Sequence, residues 1–388
     1  MKILHCCLAA FYIDNFSYQE NILPKIHKQQ GNDVTILAST ETYIDNIKLG
    51  YVKPSSYYTN EDIPITRIPY VNWIPKFVVR KLRIYSGIQQ FLQKVKPDVI
   101  FMHDSQFLSI IEFVRFAKKN NVKIYIDSHT DFINSAKNWI SKNILHKIVY
   151  KFCIKQIEKY TTKFYGTLPV RVEFLHDVYG IDKNKIELLP FGADDSYFRW
   201  EDKEIIKAEI RSQLMIGKND FVIITGGKID TRKNIHQLMK AYIELTNQDK
   251  IENIKLIVFG KPTAELKKEI DSYITNSLIR YVEWLPSEEI YKYFFASDLA
   301  FFPGTHSVLW EEAVGLGLPC VFYKWEGIQH VNLGGNCLFL ESAGIEEIKK
   351  TIISVLKEEL TFEKMKNNAE KLGPEKFSYT KIAKQALS

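Results

Sequence analysis

Apolar and polar positions follow one another in blocks along this chain. KILHCC near the start, DVTILAS (33–39), DVIFMHD (98–104) and VKIYIDSH (122–129) carry nearly continuous apolar runs rich in β-branched residues. Between them, apolar residues recur every three or four positions, as in Tyr18–Gln30, closed by Gly31, and Ser109–Asn120. Unbroken apolar strands separated by amphipathic helices predict a parallel sheet covered on both faces. The second half repeats the scheme. It runs through DFVIITGG, a helix over Asn234–Thr246, KLIVFG, a helix over Thr263–Asn276, IRYVEW, a helix over Ser287–Ala296, LAFFPG, a helix over Leu309–Gly315 and PCVFY.

Periodicity fails in KIELLPFGADDSYF, which Pro190 and Gly192 punctuate. The pattern therefore predicts an α/β protein of two Rossmann-like domains, residues 1–192 and 193–373. A terminal helix within 374–388 is expected to pack back on the first domain. In open α/β sheets ligands sit beyond the carboxyl ends of the strands. That rule selects the Ala9–Tyr18 loop, MHDS, DSHTD, TGGKIDTRKN, FGKPT, EWLPS and FPGTHS, and places the expected ligand cleft between the two domains.

Composition narrows the picture. The 388 residues are 46% hydrophobic and 25% charged, enough apolar matter for two cores. A net charge of +6 favours acidic partners but is too mild to demand nucleic acid. The five cysteines are odd in number and lack CxxC spacing, which argues against a disulfide framework or a zinc site and for a reducing, cytoplasmic setting. MKILHCCLAAF reads as a first buried strand and not as a signal peptide. No apolar run reaches the roughly 18 residues needed to span a bilayer.

Three clusters carry candidate chemistry. In TGGKIDTRKN, Gly227 at a strand end lets backbone N–H groups approach a ligand, and Lys228 and Lys233 add charge beside a helix start. A diphosphate site and a turn with solvated lysines both fit, and neither the Walker A nor the GxGxxG pattern is present. In FFPGTHSVLWEEAVGLGLPCV the backbone of Thr305, His306, Ser307 and Val308 could bind hydroxyls or phosphate oxygens. Glu312, two turns into the helix, could accept vicinal hydroxyls or form a cap or salt bridge, whereas Glu311 reads as part of a solvated face. In IDSHTDF the alternating Asp127, His129 and Asp131 fit a strand end better than a metal site, because residues on one extended segment splay apart.

The order GGKIDTRKNIHQLMKAY, KLIVFG, VEWLPSEEIYKYFFASDLAFFPG, EEAVGLGLPCV resembles the C-terminal domain of family 4 glycosyltransferases, retaining enzymes of the GT-B fold. YIDNFSYQENILPKIHKQQGNDVTILAS, IDSHTDF and YGIDKNKIELLPFGAD resemble that family's N-terminal domain more loosely. The resemblance implies a nucleotide-sugar donor as substrate, with no cofactor and no metal. It implies Lys228 and Lys233 on the donor diphosphate, Glu312 on the nucleotide ribose, and His129 near the donor sugar as the catalytic candidate. The family's first glutamate, eight positions before Glu312, contacts the transferred sugar; here Gly304 stands in its place. Tyr18, His103 and Asp104 are the acceptor-side candidates.

Two stretches are basic and aromatic: YVNWIPKFVVRKLRIY (70–85), and 137–163, which holds seven lysines against Glu158. They fit a lipid-linked saccharide acceptor at an anionic membrane surface, or a solvated helix face over buried aromatics. The function these readings point to is sugar transfer to a glycan or lipid-linked saccharide, in bacterial surface polysaccharide or glycoconjugate synthesis. The alternatives are a GT-B protein that binds a glycan or partner without turnover, and a sugar-nucleotide epimerase.

Overall fold

The computed structural model describes residues 1–44, 48–131, 139, 141–248, 251, 253–325 and 327–388. It divides into two compact units, Met1–Pro190 with Ala383–Ser388, and Phe191–Ile382. The last six residues thus join the first unit, while 374–382 stay with the second.

The first unit contains β1 (Lys2–Cys7), β2 (Asp33–Ser39), β3 (Glu41–Tyr43), β4 (Leu49–Tyr51), β5 (Ser55–Tyr58), β6 (Pro64–Ile68), β7 (Val99–His103), β8 (Lys123–Ser128), β9 (Thr161–Gly166) and β10 (Ile186–Leu188). Eight of them form one sheet in the order β10-β9-β8-β7-β1-β2-β6-β5. All its pairings are parallel except β5 with β6 at one edge. The inner strands are apolar on both faces because helices cover both; every residue of β7 is buried. Three hydroxyl and amide contacts hold the C-terminal segment to this unit. Tyr125 Oη donates to the Leu387 carbonyl, Tyr165 Oη to the Gln385 carbonyl, and Gln385 Nε2 to the Leu188 carbonyl.

The second unit is built on β11 (Phe221–Gly226), β12 (Ile254–Phe259), β13 (Ile279–Val282), β14 (Leu299–Phe302), β15 (Cys320–Tyr323) and β16 (Cys337–Leu340), all parallel, in the order β13-β12-β11-β14-β15-β16. Strand order reverses between β11 and β14, so the loops leaving these neighbours open a crevice at the carboxyl edge. In the first sheet the reversal lies between β1 and β7. Two helices are markedly shorter than the periodicity predicts: Thr263–Asn276 shrinks to Lys267–Tyr273, and Ser109–Asn120 to Ile110–Ala117. Among the described residues, no helix is long and apolar enough to cross a membrane.

Candidate functional site

At the switch point of the second unit, the loop after β11 and the loop after β14 pack backbone to backbone. Gly227 takes φ +103, a conformation only glycine adopts freely. Asp230 then ties the turn, its Oδ1 accepting from the amides of Arg232 and Lys233. The Arg232 carbonyl accepts from the Thr305 amide at 2.9 Å. Asn234, at φ +54, donates from Nδ2 to the Pro303 carbonyl just before the helix Ile235–Gln248 begins. Gly304 sits at the point of closest approach, where a Cβ would lie 2.3 Å from the Lys233 carbonyl carbon. A side chain at 304, the family's glutamate included, requires one of the two loops to move.

The Lys233 ammonium donates to the carbonyl oxygens of Thr305 at 2.8 Å and His306 at 2.5 Å. Burial pushes its pKa down to about 8, against the opposing pull of Asp230. Lys228 lies in the same turn with its side chain exposed. The Thr305 amide, read from sequence as open to a ligand, is already bonded to Arg232.

The helix Leu309–Gly315 carries the two glutamates. Glu311 corrects the sequence reading: it is fully buried, not part of a solvated face. Its carboxylate accepts from His306 Nε2 at 2.9 and 3.0 Å and from His330 Nε2 at 2.9 Å. Burial alone would raise Glu311, but the two imidazoles outweigh it and hold the carboxyl at about 2. Glu312 is half-buried; burial, then the negative charge of Asp194, pushes its pKa up to about 8. Two adjacent carboxyls thus differ sharply in proton affinity because imidazoles outweigh burial at Glu311, whereas at Glu312 burial is unopposed and a carboxylate adds to it.

In the first unit, the ends of β7 and β8 gather His103, Asp127 and His129. Asp127 is fully buried, with Oδ2 2.9 Å from His103 Nδ1 and Oδ1 3.4 Å from His129 Nε2. Oδ1 also accepts from the Asp104 amide. Burial lowers His129, but the Asp127 and Glu20 carboxylates prevail and push it up to about 9, so it is cationic at neutral pH.

His103 departs from its reading as an acceptor-facing group. Its ring is wholly buried, with Nε2 3.0 Å from His5 Nδ1 and Nδ1 on Asp127, so neither nitrogen is open to a ligand. Asp104, at φ +66 and nearly buried, holds its own loop by accepting from the Ser105 amide, Gln106 Nε2 and Thr130 Oγ1. Tyr18 is exposed and precedes the helix Gln19–Gln29, its ring against Phe16. Asp131 pairs with Arg171 and does not join Asp127 and His129. The ligand-type atoms of His103, Asp127 and His129 do lie within 4.8 Å of one another, joined by the contacts just described.

Residues 206–372 match the family of glycosyl transferases group 1. Over 286 residues the chain is 23% identical to the alpha-monoglucosyldiacylglycerol synthase of Acholeplasma laidlawii, covering 69% of each protein. It is 24% identical over 136 residues to the D-inositol 3-phosphate glycosyltransferase of Nocardia farcinica, where it spans only 29% of that protein. Among solved structures, Anabaena Alr3699/HepE in complex with UDP superposes with a TM-score of 0.67 at 14% identity, covering 100% of this chain and 98% of that one. The sucrose-phosphate synthase of Thermosynechococcus elongatus superposes with a TM-score of 0.66 at 14% identity, covering 99% and 96%. The fold is that of the GT-B glycosyltransferases.

Proposed function

We propose that this chain is a group 1 glycosyl transferase that moves a sugar, with retention, from a nucleoside-diphosphate sugar to a saccharide or lipid-linked saccharide. The observation that carries the reading is the Lys233 ammonium at the β11–β14 switch point, held by two carbonyl oxygens that phosphate oxygens could replace. Complexes of the Anabaena protein with UDP and with UDP-glucose support a donor of this class. Departure of the nucleoside diphosphate leaves negative charge, and fixed cations in a partly dry site stabilise that charge without a metal ion. Lys233 and Lys228 fill this role, Glu312 takes the ribose hydroxyls, and the cationic His129 is the catalytic candidate for the transferred sugar. No carboxylate stands out as a covalent nucleophile, so attack from the leaving-group side fits best.

The acceptor reading rests on the first unit. Trp73 and Phe77 are 80% and 75% exposed beside Lys76 and Arg80. Tyr150 Oη donates to the Lys81 carbonyl, joining the helix Lys76–Leu82 to the lysine-rich segment that exposes Ile148 and Phe152. Lys137, counted in that segment, lies outside the described residues. Aromatic side chains among cations suit the interface of an anionic membrane, as does a relative whose name marks it as making a glycolipid. The setting that suits these features is bacterial surface polysaccharide or glycoconjugate synthesis at the inner face of the cell membrane.

The test is release of nucleoside diphosphate from a panel of nucleotide sugars, with and without vesicles containing anionic lipid and a glycolipid acceptor. Acceptor-dependent release supports transfer. Release of no diphosphate from any donor, by a folded protein that still binds the nucleotide, would favour a binder without turnover. Rearrangement of the donor with no acceptor present would indicate an epimerase.

A further inference from the structure

A line of hydrogen bonds runs through the interior of the first unit, behind the strand ends just described. Asp127 Oδ2 meets His103 Nδ1 at 2.9 Å, and His103 Nε2 meets His5 Nδ1 at 3.0 Å. His5 Nε2 meets His27 Nδ1 at 2.9 Å, and His27 Nε2 meets the Ala383 carbonyl oxygen at 2.8 Å. These four side chains come from β8, β7, β1 and the helix Gln19–Gln29, and all are 0% exposed. The line ends on the backbone of the C-terminal helix Tyr379–Gln385.

The ends of the line fix its proton count. A carbonyl oxygen can only accept, so His27 Nε2 carries a hydrogen. If His27 is neutral its Nδ1 accepts from His5 Nε2–H, and His5 Nδ1 in turn accepts from His103 Nε2–H. His103 Nδ1 then faces the carboxylate, and a bond there needs one more hydrogen. Four bonds require four hydrogens, and three neutral imidazoles supply three. Leaving the fourth bond unmade would set two lone pairs against each other at 2.9 Å in a dry interior, a costly arrangement.

The environment says where the added proton sits. Burial holds His5 well below the ordinary histidine range and His27 at about 4. Asp127 stays below the carboxylate range despite its burial, because His103 and His129 face it. The proton therefore belongs on His103, against the carboxylate.

We propose that His5, His27, His103 and Asp127 are positioning residues for His129, and that the chain they form traps one proton on His103. This rests on the reading of His129 as the catalytic candidate for the transferred sugar. With Oδ2 committed to a doubly protonated His103, Asp127 has Oδ1 left for the Asp104 amide and His129, which fixes the plane of the carboxylate. The line is a lock and not a conduit, since the carbonyl at its far end cannot take a proton onward. Among the described residues, other ionisable groups facing this cluster include Glu20 and Arg171, from the helices Gln19–Gln29 and Pro169–Asp177, and the Cys7 thiol of β1. Arg171 is itself paired with Asp131.

Nitrogen–proton correlation spectra of the full chain with ring-labelled histidine test the trapped proton without substrate. The expected result at pH 7 is an imidazole other than His129 that is protonated on both nitrogens and in dipolar contact with the His5 ring. A singly protonated His103 at pH 7, or uptake of one zinc ion with loss of these ring protons, would overturn the proposal. Positioning is tested on transfer by His27→Gln and His27→Leu. The glutamine amide donates to Ala383 and accepts from His5, so it should keep the pH profile of kcat. The leucine should lower kcat on the order of tenfold and move the alkaline limb, with KM for the donor little changed. Equal behaviour of the two variants would sink the positioning role. Because the spectrum needs no turnover, failure of the lock and failure of the transferase reading are told apart.

Discussion

The Lys233 ammonium rests on the carbonyl oxygen of His306, 2.5 Å away, and so couples the loops that leave β11 and β14. A donor diphosphate would exchange these neutral acceptors for charged ones and raise the amine's pKa from about 8. A group whose pKa rises on binding favours the complex while the free form is protonated. Nucleotide affinity should therefore be retained up to about pH 8 and fall above it. Lys233→Arg, which stays charged, should flatten that fall. Lys233→Ala should weaken binding of the correct nucleoside diphosphate by roughly 10- to 100-fold. Calorimetric titrations between pH 7.5 and 9.5 decide it, and an alanine variant with unchanged affinity would move the diphosphate elsewhere.

Gly304 stands where a Cβ would strike the Lys233 backbone. Gly304→Ala should cost about 1–3 kcal/mol through overpacking and weaken nucleotide binding at the same time. Gly304→Glu should do both more strongly and should not raise transfer. Thermal melts with and without nucleotide read the two effects. A glutamate variant as stable as the parent would show that the loops part easily.

Glu311 with His306 and His330 is a buried, hydrogen-bonded cluster around one carboxylate. Removing the carboxylate leaves two imidazoles facing nothing, so Glu311→Ala should lose about 3–5 kcal/mol. Its folded pKa of about 2 lies below the ordinary 4.5. The stability it supplies is complete above 4.5 and disappears as pH falls toward 2. Urea unfolding at pH 7 and pH 3 should show a large difference between parent and variant at the first and a smaller one at the second.

Glu312 has the opposite sign. Its folded pKa of about 8 lies above the ordinary 4.5, so the folded state holds the extra proton. Its contribution to stability is complete below 4.5 and declines as pH rises to 8. Glu312→Gln should remove that decline. Relative to the parent, the variant should gain in melting temperature from pH 5 to pH 8 and then level off; parallel curves would mean that Glu312 is ionised in the native protein.

The parallel sheets were legible because their apolar runs are unbroken, and the loops that form the site because they follow those runs. What pattern could not supply is which strands are neighbours. β11 pairs with β14 across two intervening strands in sequence, and that adjacency brings Lys233 to His306. Glu311 was misread because helical spacing puts two adjacent glutamates on neighbouring faces, and only tertiary packing chooses between them. The histidines at 306 and 330 were the available signal, but the second comes from a distant loop. His103 was misassigned for a related reason. A strand end reads as facing a ligand, whereas His103 meets His5, 98 positions away along the chain, and His5 in turn meets His27, 22 positions from itself.

The close approach at Gly304 also bears on how proteins of this kind can be found. A search pattern that insists on an acid eight positions before Glu312 would pass over this chain. One that asks for a glycine there, together with lysine and asparagine closing the preceding loop, would select for this packing, because the small residue is what lets the opposite wall come so close.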